Sequence, residues 1–149
     1  MQVQAELVAA CEPSALWVHV DRLERYTAWM ALVHEAVPID DDDGRPAWSV
    51  ELRTRVGPLA RSKRLRMVRT TSVEERHAVF ERVETDGRRH SPWILEIRLE
   101  AVPAGTHLQM RLEYLGSLWT GGVLQRILDD EITRGREALL RLVTDVPTR

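Results

Sequence analysis

The sequence predicts an α+β fold: a curved antiparallel sheet of six or seven strands wrapped around a long C-terminal helix, with two short helices after the first strand. Three observations carry this. From Ala47 to Tyr114 apolar residues recur with period two between turn signals. Leu16 to Val33 and Thr120 to Val143 recur instead at helical spacing. A meander of strands has one apolar face that must be covered, and only the terminal segment is long and amphipathic enough to cover it.

The elements follow in order. Residues 2–10 place Val3, Ala5, Leu7 and Ala9 on one face and Gln2, Gln4 and Glu6 on the other, a half-buried strand. Pro13 suits the first turn of a helix that carries Leu16, Trp17, Val20 and Leu23. A second helical piece carries Tyr26, Trp29, Met30 and Val33 and ends at Pro38. Asp40 to Gly44 reads as a charged, solvated loop; adjacent carboxylates repel, and the spaced ligands of a calcium loop are missing. Trp48, Val50, Leu52, Thr54 and Val56 then alternate with Ser49, Glu51, Arg53 and Arg55. Gly57-Pro58 turns the chain into a return strand, Ala60 to Thr71, with Leu65 and Met67 on one face. Arg76 to Glu84 is a fourth strand whose inward face the pattern leaves open. Asp86-Gly87 signals a hairpin. Pro92 to Ala101 alternates Trp93, Leu95, Ile97 and Leu99 with polar partners, Pro103-Ala104-Gly105 turns, and Leu108, Met110, Leu112 and Tyr114 line the last strand.

The terminal helix spans about six turns. Thr120 is its expected N-cap; Leu124, Ile127, Leu128, Ile132, Ala138, Leu139 and Leu142 share one side, and Arg134, Arg136, Glu137 and Arg141 the other. Glu131 and Gly135 interrupt the apolar side one turn apart. A glycine there costs roughly 1 kcal/mol of propensity against alanine, and a buried carboxylate needs a partner. Two such breaks together predict that the helix covers something other than solid core. A sheet wrapped around one helix in this way is the helix-grip arrangement.

Composition bounds the rest. At 149 residues the chain reads as one domain, residues 1–149, large enough to stand without a disulfide or metal. One cysteine, Cys11, excludes a disulfide framework and a cysteine zinc site. The start Met1-Gln2-Val3-Gln4 has neither the basic segment nor the apolar run of a signal peptide, no stretch reads as a membrane span, and the expected location is the cytoplasm. A net charge of −2 gives no drive toward nucleic acid. No cofactor or metal site is predicted: His19, His34, His77, His90 and His107 have no ligand spacing, and Ser62, Ser91 and Ser117 lie in no nucleophile motif.

Trp17, Asp21 and Arg25-Tyr26-Thr27-Ala28-Trp29-Met30, the Gly57-Pro58 turn before a basic strand, and the terminal helix together resemble the START/Bet v 1-like (SRPBCC) superfamily, within it the bacterial polyketide cyclase/dehydrase and lipid-transport group. The resemblance runs from about Val3 to Val143; many relatives have a proline where this chain has Thr27. It implies a hydrophobic cavity between sheet and helix. Members include aromatase/cyclases, lipid and quinone carriers, hormone receptors and proteins without known ligand, so it does not name the occupant.

Four groups could carry chemistry. Glu131 either faces the cavity as hydrogen-bond acceptor or base, or pairs with a strand arginine, for which Arg69 has the strand parity of Leu65 and Met67. Tyr26, Trp29, Met30, Trp48, Met67, Trp93, Met110, Tyr114, Trp119 and Gly135 form the expected lining of a site for a flat or greasy ligand, though each also suits plain core. His34 is either a donor at the mouth or an exposed histidine. Arg61, Lys63, Arg64, Arg66 and Arg69 form a basic run that is either a docking face or a solvated face neutralised by glutamates such as Glu51, Glu81 and Glu84 on nearby strands.

The expected function is binding of a hydrophobic or aromatic small molecule of lipid, quinone or polyketide type, without membrane insertion. One alternative is an aromatase/cyclase with Glu131 as base and Arg69 or Tyr114 as donor. The other is an interaction module acting through the basic strand.

Overall fold

The computed structural model describes residues 2–56, 58–114 and 122–144, with the backbone alone at 55, 56, 59, 122–129 and 144. Seven antiparallel strands form one sheet: β1 (Gln2–Ala9), β2 (Val33–Asp42), β3 (Arg45–Val56), β4 (Leu59–Val73), β5 (His77–Arg82), β6 (Trp93–Val102) and β7 (Gly105–Tyr114). The spatial order is β1-β7-β6-β5-β4-β3-β2, so the chain meanders from β2 to β7 and β1 closes the far side. Helix α1 (Pro13–Val20) and a 3₁₀ helix (Leu23–Ala28) follow β1, and α2 (Gly122–Thr144) ends the described chain.

Alternation builds the core. Val3 and Leu7 of β1, Trp48, Val50 and Leu52 of β3, Leu65 and Met67 of β4, Ile97 and Leu99 of β6 and Leu108 of β7 are buried in one cluster. The same cluster takes Leu16, Trp17 and Val20 of α1, Leu23 and Tyr26 of the 3₁₀ helix, and Leu139 and Val143 of α2. The inward residues of β5 are Ala78 and Phe80, both fully buried.

Four expectations are corrected. The helical piece predicted through Val33 ends at Ala28, and residues 33–42 form β2 instead. β2 is an edge strand with only Ala36 buried, so it has no inward alternation to read. Its Pro38 is tolerated because an edge strand can spare a backbone donor. The predicted acidic loop is the end of β2 plus a tight turn: Asp43 and Gly44 both have positive φ, 53° and 82°, and join β2 to β3. Asp86-Gly87, by contrast, lies within the longer connection 83–92 rather than forming a two-residue hairpin. There Asp86 accepts from the backbone N–H of Arg88 and pairs with His90. Leu142, expected on the buried side of α2, is 40% exposed, while Val143 is buried. Thr120, Gly121, Gly57, Gly116 and Ser117, and the side chains of Leu124, Ile127 and Leu128, lie outside what is described.

Candidate functional site

A cavity of about 120 Å³ lies between the inner sheet face, the 3₁₀ helix and α2. Its wall is almost wholly hydrocarbon. Tyr26, Trp29 and Met30 border it from the capping segment, Met67 from β4, Trp93 from β6, Met110 from β7, and Glu131, Ile132, Arg136 and Leu139 from α2.

The wall is apolar because the polar ends of the capping aromatics are turned away and satisfied. Tyr26 Oη donates to the carbonyl of Val20 at 2.8 Å, and Trp29 Nε1 to that of His19 at 3.1 Å. The two rings pack at 4.7 Å between centroids. Burial, then the nearby Asp21 carboxylate, pushes the Tyr26 phenol well above its ordinary value. Gly135 is where α2 meets this cap: a Cβ there would lie 3.1 Å from both the Trp29 carbonyl oxygen and Met30 Cε. The glycine in the apolar stripe therefore permits close approach of helix to cap.

Glu131 borders the cavity, but it is not paired with Arg69. Arg69 Nη1 donates to the carbonyl of Asp21 at 2.7 Å and ties β4 to the cap. Across the β4–β5 pairing Arg69 stands opposite the inward Phe80, so it keeps the strand's inward parity but lies under the cap rather than at the cavity, and the register irregularity falls beyond it, between Arg69 and Thr71. Glu131 Oε1 instead lies 3.5 Å from Nη1 of the exposed Arg134, one turn on.

Of the remaining expected lining residues, Trp48 is buried elsewhere. Its Nε1 donates to Glu24 Oε1 at 2.7 Å and its ring stands edge-on to Phe80, 5.6 Å away. Tyr114 is behind the wall, stacked on Trp93 with centroids 4.8 Å apart, and burial pushes its phenol up to about 12. Trp119 lies outside the described residues. Arg136 was expected on the polar side of the helix; it reaches the cavity edge and its Nη1 donates to the carbonyl of Glu6 at 3.5 Å. Helical periodicity alone misses such a residue, because a long stem can reach back to an apolar rim.

The basic run lies among carboxylates. Arg64 donates to Ser49 Oγ and Glu51 Oε1 at 2.9 and 3.0 Å, and Arg66 to the carbonyl of Val83 at 2.9 Å and Asp42 Oδ1 at 3.4 Å. His77, His90 and His107 each face a carboxylate, Glu96, Asp86 and Glu6. His34 is exposed on the edge strand. Among the described residues no cluster of three or more histidine, cysteine or acidic side chains could hold a metal, and no helix is long and apolar enough to cross a membrane.

No family model matches the sequence, and no curated protein does. Solved structures do. A START superfamily protein from Mycobacterium smegmatis superposes with TM-score 0.71 at 16% identity, over 98% of this chain and 99% of that one. The Zhui aromatase/cyclase from Streptomyces sp. R1128 gives 0.62 at 14%, over 97% and 92%. The di-domain ARO/CYC StfQ of the steffimycin biosynthetic pathway gives 0.71 at 11%, over 97% of this chain and 50% of that one. The shared feature is the fold: a seven-stranded curved antiparallel sheet with a C-terminal helix, the helix-grip fold of START/Bet v 1-like proteins.

Proposed function

We propose that this chain binds an apolar or aromatic small molecule in the cavity between the sheet, the capping segment and α2. One observation carries the reading: the hydrocarbon faces of Tyr26, Trp29 and Trp93 and three of the four methionines converge on one space whose wall is almost free of polar surface. Methionine walls re-pack around different shapes, which suits a carrier. The chain acts as one domain, in the cytoplasm, without inserting into membranes. Nucleic acid is not an expected partner: Arg64 and Arg66 of the basic strand already pair with Glu35, Glu51 and Asp42.

The same pairing weakens the interaction-module reading, because Arg64 and Arg66 already have partners. The cyclase reading draws support from the two aromatase/cyclase structures of the same fold. Of its expected groups, however, only Glu131 borders the cavity; Arg69 is committed to the cap and Tyr114 to the back of Trp93. Binding is therefore the reading the geometry supports best.

Native mass spectrometry of protein purified from its own host tests it. A discrete added mass that leaves on unfolding is the expected result. Bare protein together with no thermal shift from quinones, fatty acids or polyphenols would overturn it.

A further inference from the structure

The basic run on β4 is divided between the two faces of the sheet. Arg64 and Arg66 face outward and pair with Glu35, Glu51 and Asp42. Lys63 alternates with them. It stands opposite Leu52 of β3 and two residues before Leu65, and both leucines line the cavity. Directly opposed residues of an antiparallel pair share a face, with Cβ atoms about 4.5–5.5 Å apart. Lys63 therefore continues the inner wall one step past its hydrocarbon part, and it is only half-buried. A lysine stem can lie along such a wall with its ammonium at the margin.

The charge of Lys63 is uncommitted. Arg82 of β5, opposite the wall residue Met67, shares this inner face. It donates to Glu84 Oε2 at 2.7 Å and to the carbonyl of Ser91 at 3.3 Å, and lies 3.2 Å from His90 Nδ1. Among the described residues no carboxylate forms an ion pair with Lys63, whereas Arg64, Arg66 and Arg82 each have one. Burial, then the Arg82 guanidinium, holds the Lys63 ammonium below the ordinary lysine value, against the pull of Glu84. The cation on the cavity wall itself, Arg136, stands with Glu6 and Glu131, the two acids of the lining. An anion brought to Arg136 meets carboxylates; one brought to Lys63 relieves repulsion between two cations.

We infer that the ligand is a small amphiphilic carboxylate, with a ring-sized apolar body against Leu52 and Leu65 and its carboxylate on the ammonium of Lys63. This rests on the cavity-binding reading above and sharpens it. A carboxylate matches a single lysine in charge. A ligand ammonium would be repelled by both Lys63 and Arg82. A phosphate dianion would set its second charge beside Glu84, whose Oε2 already accepts from Arg82 and from the backbone N–H of Arg66. Size limits the body: the volume of about 120 Å³ is comparable to the engineered apolar cavity of about 150 Å³ that holds benzene.

The test is calorimetric titration of the full chain with toluene, p-cresol, p-toluate, p-methylbenzylamine and a C16 fatty acid. The first four share one ring and differ in head group. The expected result is p-toluate favoured over toluene about tenfold, the worth of a hydrogen bond to a charged group, with the amine weakest. Lys63→Met keeps the stem, removes the charge and should abolish the preference, read as the ratio of p-toluate to toluene affinity within the variant. Lys63→Arg, which keeps the charge, should retain most of it. Thermal unfolding confirms that the variants fold. A preference that survives Lys63→Met, or that is lost in Arg136→Met instead, would place the anion elsewhere and overturn the inference. Equal affinities for p-toluate and toluene, or a preference for the amine, would overturn it too. Binding of the fatty acid alone would rule out the ring-sized body. Each of these results leaves the cavity reading standing. No binding by any of the five would overturn the inference and count against the cavity reading itself.

Discussion

At the scale of single residues, the character of the site is decided by where the polar end of each aromatic goes. The chain has two tyrosines, and both are buried. Burial raises Tyr26 well above the ordinary phenol value of 10.0, and Tyr114 to about 12. In the unfolded chain both ionise near 10. The folded state therefore holds protons that the unfolded state releases. Their contribution to stability is fully present below about pH 10 and is lost as the pH rises toward 12 and beyond. Alkaline difference spectra should show almost no tyrosinate at pH 10, with its absorbance appearing together with loss of far-UV circular dichroism. A phenol that ionises near pH 10 in folded protein would show that one ring is solvent-exposed. The residue scale is also where the sequence was least legible. Strand parity offered Arg69 as a partner for Glu131 and left an outward arginine equally open; Arg69 does share the inward face, opposite Phe80, but under the cap, where it serves the Asp21 carbonyl. Trp48 shares the inward face of its strand with Val50, yet its N–H is drawn to Glu24, a contact between residues 24 apart in the sequence that no local pattern encodes.

At the scale of elements, legibility followed burial on one face. β1, β3, β6 and β7 bury alternate residues and were read close to their observed limits. β2 lies on the sheet edge and exposes most of both faces, so the only signal for it was the Asp43-Gly44 turn that follows. The length of α2 was legible from its period, and Gly135 was legible as a break in it. What the break permits was not legible, because it depends on the Trp29 carbonyl arriving from another element. This contact sets opposing effects at position 135. Alanine gains roughly 1 kcal/mol of helix propensity but presses its Cβ against the Trp29 carbonyl oxygen and Met30. Gly135→Ala should therefore stay within about 1 kcal/mol of wild type. Gly135→Leu cannot be absorbed by a shift of the methionine tip alone and should cost about 1–3 kcal/mol by overpacking. Urea denaturation of the two variants measures both. Equal, large losses for alanine and leucine would mean that the helix cannot yield at this point at all.

At the scale of the whole molecule, the fold and the size of its cavity are separate facts with separate causes. The helix-grip arrangement follows from period and order, and the sequence carries both. The volume depends on side chains from the capping segment, six strands and α2 meeting at one place, and no pattern within one element sums them. In this chain they sum to about 120 Å³, small beside the 300–1,000 Å³ or so of typical ligand pockets. Three of the side chains on that wall are methionines, Met30, Met67 and Met110, whose flexible thioethers are the part of the wall best able to yield to a larger molecule. Met67 is the best place to test this, because it is buried and comes from the sheet, where neighbouring strands hold the backbone. Met67→Ala removes side-chain volume from the wall and should cost about 2–5 kcal/mol of stability, as truncations of buried methionine do. If the wall sets the size limit, the same change should shift preference from one ring toward two. The ratio of 2-naphthol to p-cresol affinity, measured by calorimetry, should rise several-fold over wild type. In Met67→Leu, which restores most of the volume without the thioether, the ratio should fall back toward the wild-type value. A ratio unchanged by Met67→Ala would mean that larger ligands are admitted by movement of α2 rather than by the packing of the wall, and the selectivity of the site would then reside in the helix.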